Sequence, residues 1–147
     1  MTTGARAVAG WFADLADRGF QKKGLVWCRR GDETLFSFEL QKSQYGSRYY
    51  VNVGVFFLSL GSAEHVPPHR CHFYGRFGSW SASEALDFES RFPREREEVV
   101  REFKTRELLP AADGCGTAGG AAAFFRSGLL SVPLVLPEAR PLLGLDD

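Results

Sequence analysis

Hydrophobic residues recur along this chain with two periods. Val8, Trp11, Phe12 and Leu15 stand at helical spacing with Asp14, Asp17 and Arg18 opposite, which predicts an amphipathic helix over residues 3–18, stopped by Gly19. The period then falls to two. Gly24 to Arg30 and Glu33 to Lys42 read as strands joined through Gly31-Asp32. The run Arg48 to Leu58 is the richest in β-branched and aromatic residues and reads as a buried strand. Tyr49, Val51, Val53, Val55 and Phe57 take one face of it; Tyr50, Asn52, Gly54, Phe56 and Leu58 take the other. Residues 59–69 form a loop around Pro67-Pro68, and Arg70 to Phe77 alternates again, with Cys71, Phe73, Gly75 and Phe77 against His72, Tyr74 and Arg76.

Gly78 to Phe92 reads as a loop with Trp80 and Phe88 as anchors. After Pro93 a helical period returns through Val99, Val100 and Phe103, with an acidic first turn, and Pro110 is expected to end that helix near Leu109. Gly114 to Ala123 is nearly all Gly and Ala and reads as a flexible segment, followed by a short helix over residues 121–130 and a Pro-punctuated tail. Together these patterns predict an α+β fold: an antiparallel sheet of about four strands, packed on one face by an N-terminal and a C-terminal helix. Residues 1–110 are expected to form a single domain core, with residues 111–147 packing loosely on it.

Composition narrows the class. A chain of 147 residues, 44% hydrophobic and 14% aromatic, is long enough to bury a core without metal or disulfide support. Its 18 basic and 18 acidic residues cancel, so bulk charge drives it toward neither nucleic acid nor membrane. The balance is mildly uneven, basic over residues 1–60 and acidic over 81–147. Three widely spaced cysteines, Cys28, Cys71 and Cys115, are poor material for a disulfide framework and point to a reducing cytoplasm. The N-terminus carries no apolar signal core, and the apolar run Leu129 to Leu136 is broken by Ser131 and Pro133. That run falls short of the ~20 residues a membrane-spanning helix needs.

Three ordered pieces carry a family likeness: Phe20-Gln-Lys-Lys-Gly, then Gln41-Lys42-Ser43 with Gly46 before Val51-Asn52-Val53-Gly54-Val55, then Cys71-His72-Phe-Tyr-Gly-Arg76. Taken together they resemble the bacterial domain of unknown function (DUF) 4304 family, over residues 5–110. The Gly/Ala stretch from Gly114 departs from that family's pattern. The resemblance implies a compact α+β domain and confers no activity.

Strand parity yields the sharpest site hypothesis. With the apolar parity turned to the helices, the opposite face gathers Glu39, Gln41, Tyr50, Asn52, His72, Tyr74 and Arg76, whose cross-strand spacing of ~5 Å allows one patch. Amide, imidazole, phenol and guanidinium groups suit recognition of a phosphate, a carboxylate or a protein side chain. The plainer reading is a solvated polar sheet face.

Other constellations are weaker. His65 and His69 suggest zinc, but Pro67-Pro68 forbids a helical pair, and Cys71 and His72 point apart as strand neighbours. Asp32, Glu39 and Lys42 do not share one face as a nuclease site requires. Gly114 to Gly119 matches G-x-G-x-x-G but follows a helix inside a Gly/Ala tract, so it reads as a linker. Lys22, Lys23, Trp27, Arg29 and Arg30 read as a solvated hairpin rim before a nucleic-acid patch.

The expectation is therefore a cytoplasmic, non-catalytic binding or protein-interaction module without cofactor or metal, its partner a protein or a small anionic ligand. The alternative is an enzyme or small-ligand binder acting on an anionic substrate, with His72 as acid–base and Arg76 as anion clamp.

Overall fold

Strands joined by short connections tend to pair with their sequence neighbours, and here consecutive strands pair even where helices intervene, as between residues 77 and 130. The computed structural model describes residues 3–77, 85–87 and 96–145. Among these residues six strands form one antiparallel sheet in chain order: β1 (Gln21–Lys23), β2 (Val26–Arg30), β3 (Thr34–Lys42), β4 (Tyr49–Phe57), β5 (Phe73–Phe77) and β6 (Leu130–Val135). The protein is thus α+β. The sheet exceeds the expected four strands because Gln21–Lys23 extends one edge and the Pro-punctuated segment supplies the other.

β3 and β4 pair over their full lengths, from Thr34 opposite Phe57 to Lys42 opposite Tyr49. That register turns Phe36, Phe38, Leu40, Val51, Val53, Val55 and Phe57 to one face, all buried. Helices cover this face. α1 (Thr3–Trp11) runs on into a 3-10 helix, Ala13–Arg18, closed by Gly19 at φ 86°. Phe12 lies 5.2 Å from Phe38, and Trp27 stacks on Phe38 at 4.9 Å between ring centroids. Burying aromatic rings of this size stabilises the fold by ~1.5–3 kcal/mol each.

The later helical segment begins, among the described residues, with α2 (Arg96–Phe103); the expected start at Pro93 and the anchors Trp80 and Phe88 lie outside the described residues. Pro110 does not end this helix. A π-helical turn over Lys104–Leu108 leads into α3 (Leu109–Gly114), where Pro110 occupies the first turn. A wider turn relieves the clash between the proline ring and the preceding carbonyls, and a first-turn position needs no N–H.

The Gly/Ala tract is likewise ordered. Thr117 caps α4 (Ala118–Arg126) by accepting from Gly120 N–H, and the helix ends before Leu130, which opens β6. Glu33 accepts from Ala118 N–H at 2.9 Å, and Thr34 Oγ1 donates to the Cys115 carbonyl. Gly31 lies so close to Gly116 that a Cβ there would stand 2.7 Å from the Gly116 Cα. The glycines therefore serve close approach between the α3–α4 junction and the β2–β3 turn. Phe124, Leu130, Ala139 and Leu143 join the same buried cluster as the sheet.

Candidate functional site

The far sheet face divides into two halves, and the division is written in its side chains. On β3 the far-face residues run from Leu35 and Ser37 to Glu39 and Gln41; on β4 they run from Phe56 and Gly54 to Asn52 and Tyr50. The apolar half is covered by the segment between β4 and β5. Val66 and Cys71 pack with Cys28 and Leu35 in a second buried cluster, and Ser37 Oγ donates to the Val66 carbonyl at 2.6 Å. Gly54 allows this approach, since a Cβ there would stand 2.8 Å from both the Cys71 Cβ and the Pro68 Cα.

This covering corrects two expectations. Cys71 lies in the turn before β5 and packs on the far side with Cys28, not against the helices. Burial pushes its thiol well up, with Cys28 adding to the shift, so the group stays protonated and unfit as a nucleophile.

His72 does not stand on the open face; only 5% of it is exposed. Its Nδ1 accepts from the Phe57 N–H at 2.8 Å, its own N–H donates to the Val55 carbonyl, and its carbonyl accepts from Leu136 N–H. The imidazole thereby replaces the strand partner that Phe57 lacks where the β4–β5 ladder ends. Burial lowers its pKa, against the opposing field of Glu138, and so keeps Nδ1 an acceptor.

The other half of the face is open and concave. A cavity of about 700 Å³ is lined by Glu39 and Gln41 of β3, Asn52 of β4, Tyr74 and Arg76 of β5, and Ser131 of β6. Pro68 and His69 form its rim on the loop side. The register explains the convergence, because Glu39 stands opposite Asn52 and Asn52 opposite Arg76 in one row across the sheet.

Asn52 Nδ2 donates to Gln41 Oε1 at 2.7 Å and to Glu39 Oε1 at 3.3 Å. The Arg76 guanidinium lies over the Tyr50 ring, 3.7 Å from its centroid. Among the described residues no carboxylate is within ion-pair distance of Arg76. A second concavity of about 410 Å³ adjoins the first, sharing Gln41 and Arg76 and reaching Lys42, Tyr45 and Tyr50.

Six of the seven expected site residues therefore share the open half, with Tyr50 entering as the platform under Arg76. His69 and Ser131 had no place in the expected patch. Pro67-Pro68 was the available signal for the first, marking a stiff segment able to lie on a glycine. Nothing in the sequence pattern ties Ser131 to β5.

The remaining constellations disperse. His65 Nε2–H donates to the Gln21 carbonyl, while His69 faces the cavity. Arg29 pairs with Asp113 at 2.7 Å, and Arg30 reaches the Ala63 carbonyl, so the basic hairpin residues serve different neighbours. Among the described residues no cluster of three His, Cys, Asp or Glu side chains is placed to hold a metal ion. No helix of the described residues is long and apolar enough to cross a membrane.

A family model described as "Domain of unknown function (DUF4304)" matches residues 11–106, well over half the chain. The chain belongs to the DUF4304 family. Neither the curated proteins nor the solved structures contain a match to it. The DUF4304 match spans α1's last residue through β5 and into the π-helical turn, and so includes every lining residue of the cavity except Ser131.

Proposed function

We propose that this DUF4304 protein is a non-catalytic binding module that receives an anionic group in the open half of its far sheet face. The supporting observation is Arg76: a guanidinium lying over the Tyr50 ring, 3.7 Å from its centroid, bordering a concavity, with no ion-pair partner among the described residues. A stacked, pre-oriented guanidinium loses little freedom on meeting a carboxylate or phosphate, which favours binding. The enzyme reading needs His72 as its acid–base group, and that residue is buried with its Nδ1 committed to the Phe57 N–H. Three unpaired thiols suit a reducing compartment, so the same reading places the protein in the cytoplasm.

The test is a titration of isotope-labelled protein with inorganic phosphate and with glutarate, followed through the Arg76 Nε–H and Asn52 side-chain NMR signals. Saturable shifts at both residues, abolished by Arg76→Ala with the amide spectrum otherwise preserved, are expected. Silence at Arg76 with every anion, or shifts that persist in Arg76→Ala, overturns the reading.

A further inference from the structure

The cavity holds an acid as well as a base. We propose that its occupant is a peptide segment carrying two opposite charges, an acidic side chain for Arg76 and a basic one for Glu39. This rests on the open half-face being a binding site.

Glu39 and Arg76 line one cavity, in the row that runs through Asn52. Two strand spacings separate their backbones by roughly 10 Å. Opposite charges at contact near a protein surface attract by ~4 kcal/mol, so two long side chains sharing a cavity tend to close on each other. Here they do not. No ion pair joins them, and neither pairs with another described charge. Each is held by a neutral neighbour instead: Glu39 by the Asn52 amide at 3.3 Å, Arg76 by the Tyr50 ring at 3.7 Å.

Between the two charges in that row stands Asn52, with Gln41 beside it on β3, two residues beyond Glu39. Asn52 Nδ2 has two hydrogens and spends them on Glu39 and Gln41, leaving Asn52 Oδ1 as an acceptor. Gln41 accepts through Oε1, leaving its NH₂ as a donor. Across the sheet the row thus offers a carboxylate, an amide acceptor and a guanidinium, with the Gln41 donor beside it. Its complement is a cation, a backbone amide and an anion in that order, which is the chemistry of a peptide with a basic and an acidic side chain. The α-ammonium and α-carboxylate of a free amino acid sit on one carbon and do not span the row. The adjoining concavity past Arg76 toward Tyr45 adds length that an extended chain fills.

The probes are capped pentapeptides of serine with one glutamate and one lysine at varied separation, and the same peptides with either charge replaced by glutamine. They are titrated into wild type, Arg76→Ala and Glu39→Gln, each checked for an intact amide spectrum. The best bipolar peptide is expected to bind at least tenfold tighter than either neutralised version. The penalty for losing the peptide glutamate should vanish in Arg76→Ala, and that for losing the peptide lysine in Glu39→Gln. Should the glutamate-only peptide bind as well as the bipolar one, the bipolar inference falls and the anion site stands. Binding of glutarate or phosphate at Arg76 without binding of any peptide also overturns it. Failure of every probe at Arg76 removes both readings.

Discussion

At the scale of single residues, His72 shows how a polar group in an otherwise plausible patch is claimed by the fold. Its ring packs at a tilt against Phe56, 4.4 Å between centroids, and serves as an acceptor for the Phe57 N–H, a role only the neutral imidazole can fill. Its pKa is lowered by burial, so between the lowered value and the ordinary 6.5 the unfolded chain binds the proton that the native state refuses. Stability from this group is therefore complete above pH 6.5 and is lost as pH falls through the native value. Urea midpoints measured from pH 7.5 down to 5 should decline in the wild type. His72→Asn, which puts a non-titrating acceptor near Nδ1, should flatten part of that decline. Identical slopes in the two proteins would remove His72 from the pH response.

At the scale of elements, the segment between β4 and β5 decides how much of the far face is left open. It lies against the sheet because β4 presents Gly54 where Pro68 and Cys71 arrive. A methyl at this position meets backbone as well as the Cys71 side chain, so the chain has to move. Gly54→Ala is expected to cost about 1–3 kcal/mol by overpacking, read as a lowered urea midpoint. It should also make Cys71 more reactive to a thiol reagent, as the loop lifts. An unchanged midpoint with Cys71 still protected would show that the loop docks without needing the glycine. The same loop carries His69 to the rim of the cavity, so site and covering are one structural decision.

At the scale of the whole molecule, the N-terminal helical segment and the helices after β5 are tied by Lys104. Its Nζ donates to the Trp11 carbonyl at the end of α1 and to Asp14 Oδ1 at 2.6 Å, joining residues far apart in sequence. A cation at a helix C-terminus satisfies carbonyls that the helix itself leaves unpaired. Lys104→Met keeps the aliphatic stem and removes these bonds, with an expected loss of about 1–2 kcal/mol, since Asp14 remains largely exposed. Amide exchange should then rise in α1 ahead of the sheet. Equal exchange in α1 and the sheet would mean that α1 is held by Phe12 and its apolar contacts alone.

Local patterning by itself determined the near face of this protein. Alternation in Thr34–Lys42 and Tyr49–Phe57 is a period of two, and a strand with such a period has only one way to bury its apolar side. The family likeness was legible for the same reason, since its pieces sit in and beside those strands. Six site residues shared a parity, so their convergence followed from the pairing order of neighbouring strands. Tertiary structure alone decided the rest. His72 carried the right parity but lies past the end of the ladder, where a backbone N–H without a strand partner takes its ring. Pro110 and the glycines after it looked like breakers, yet a π-helical turn and close contact with Gly31 gave them places in an ordered layer. Such outcomes depend on what comes to lie beside a residue from elsewhere in the chain, and periodicity holds no information about that.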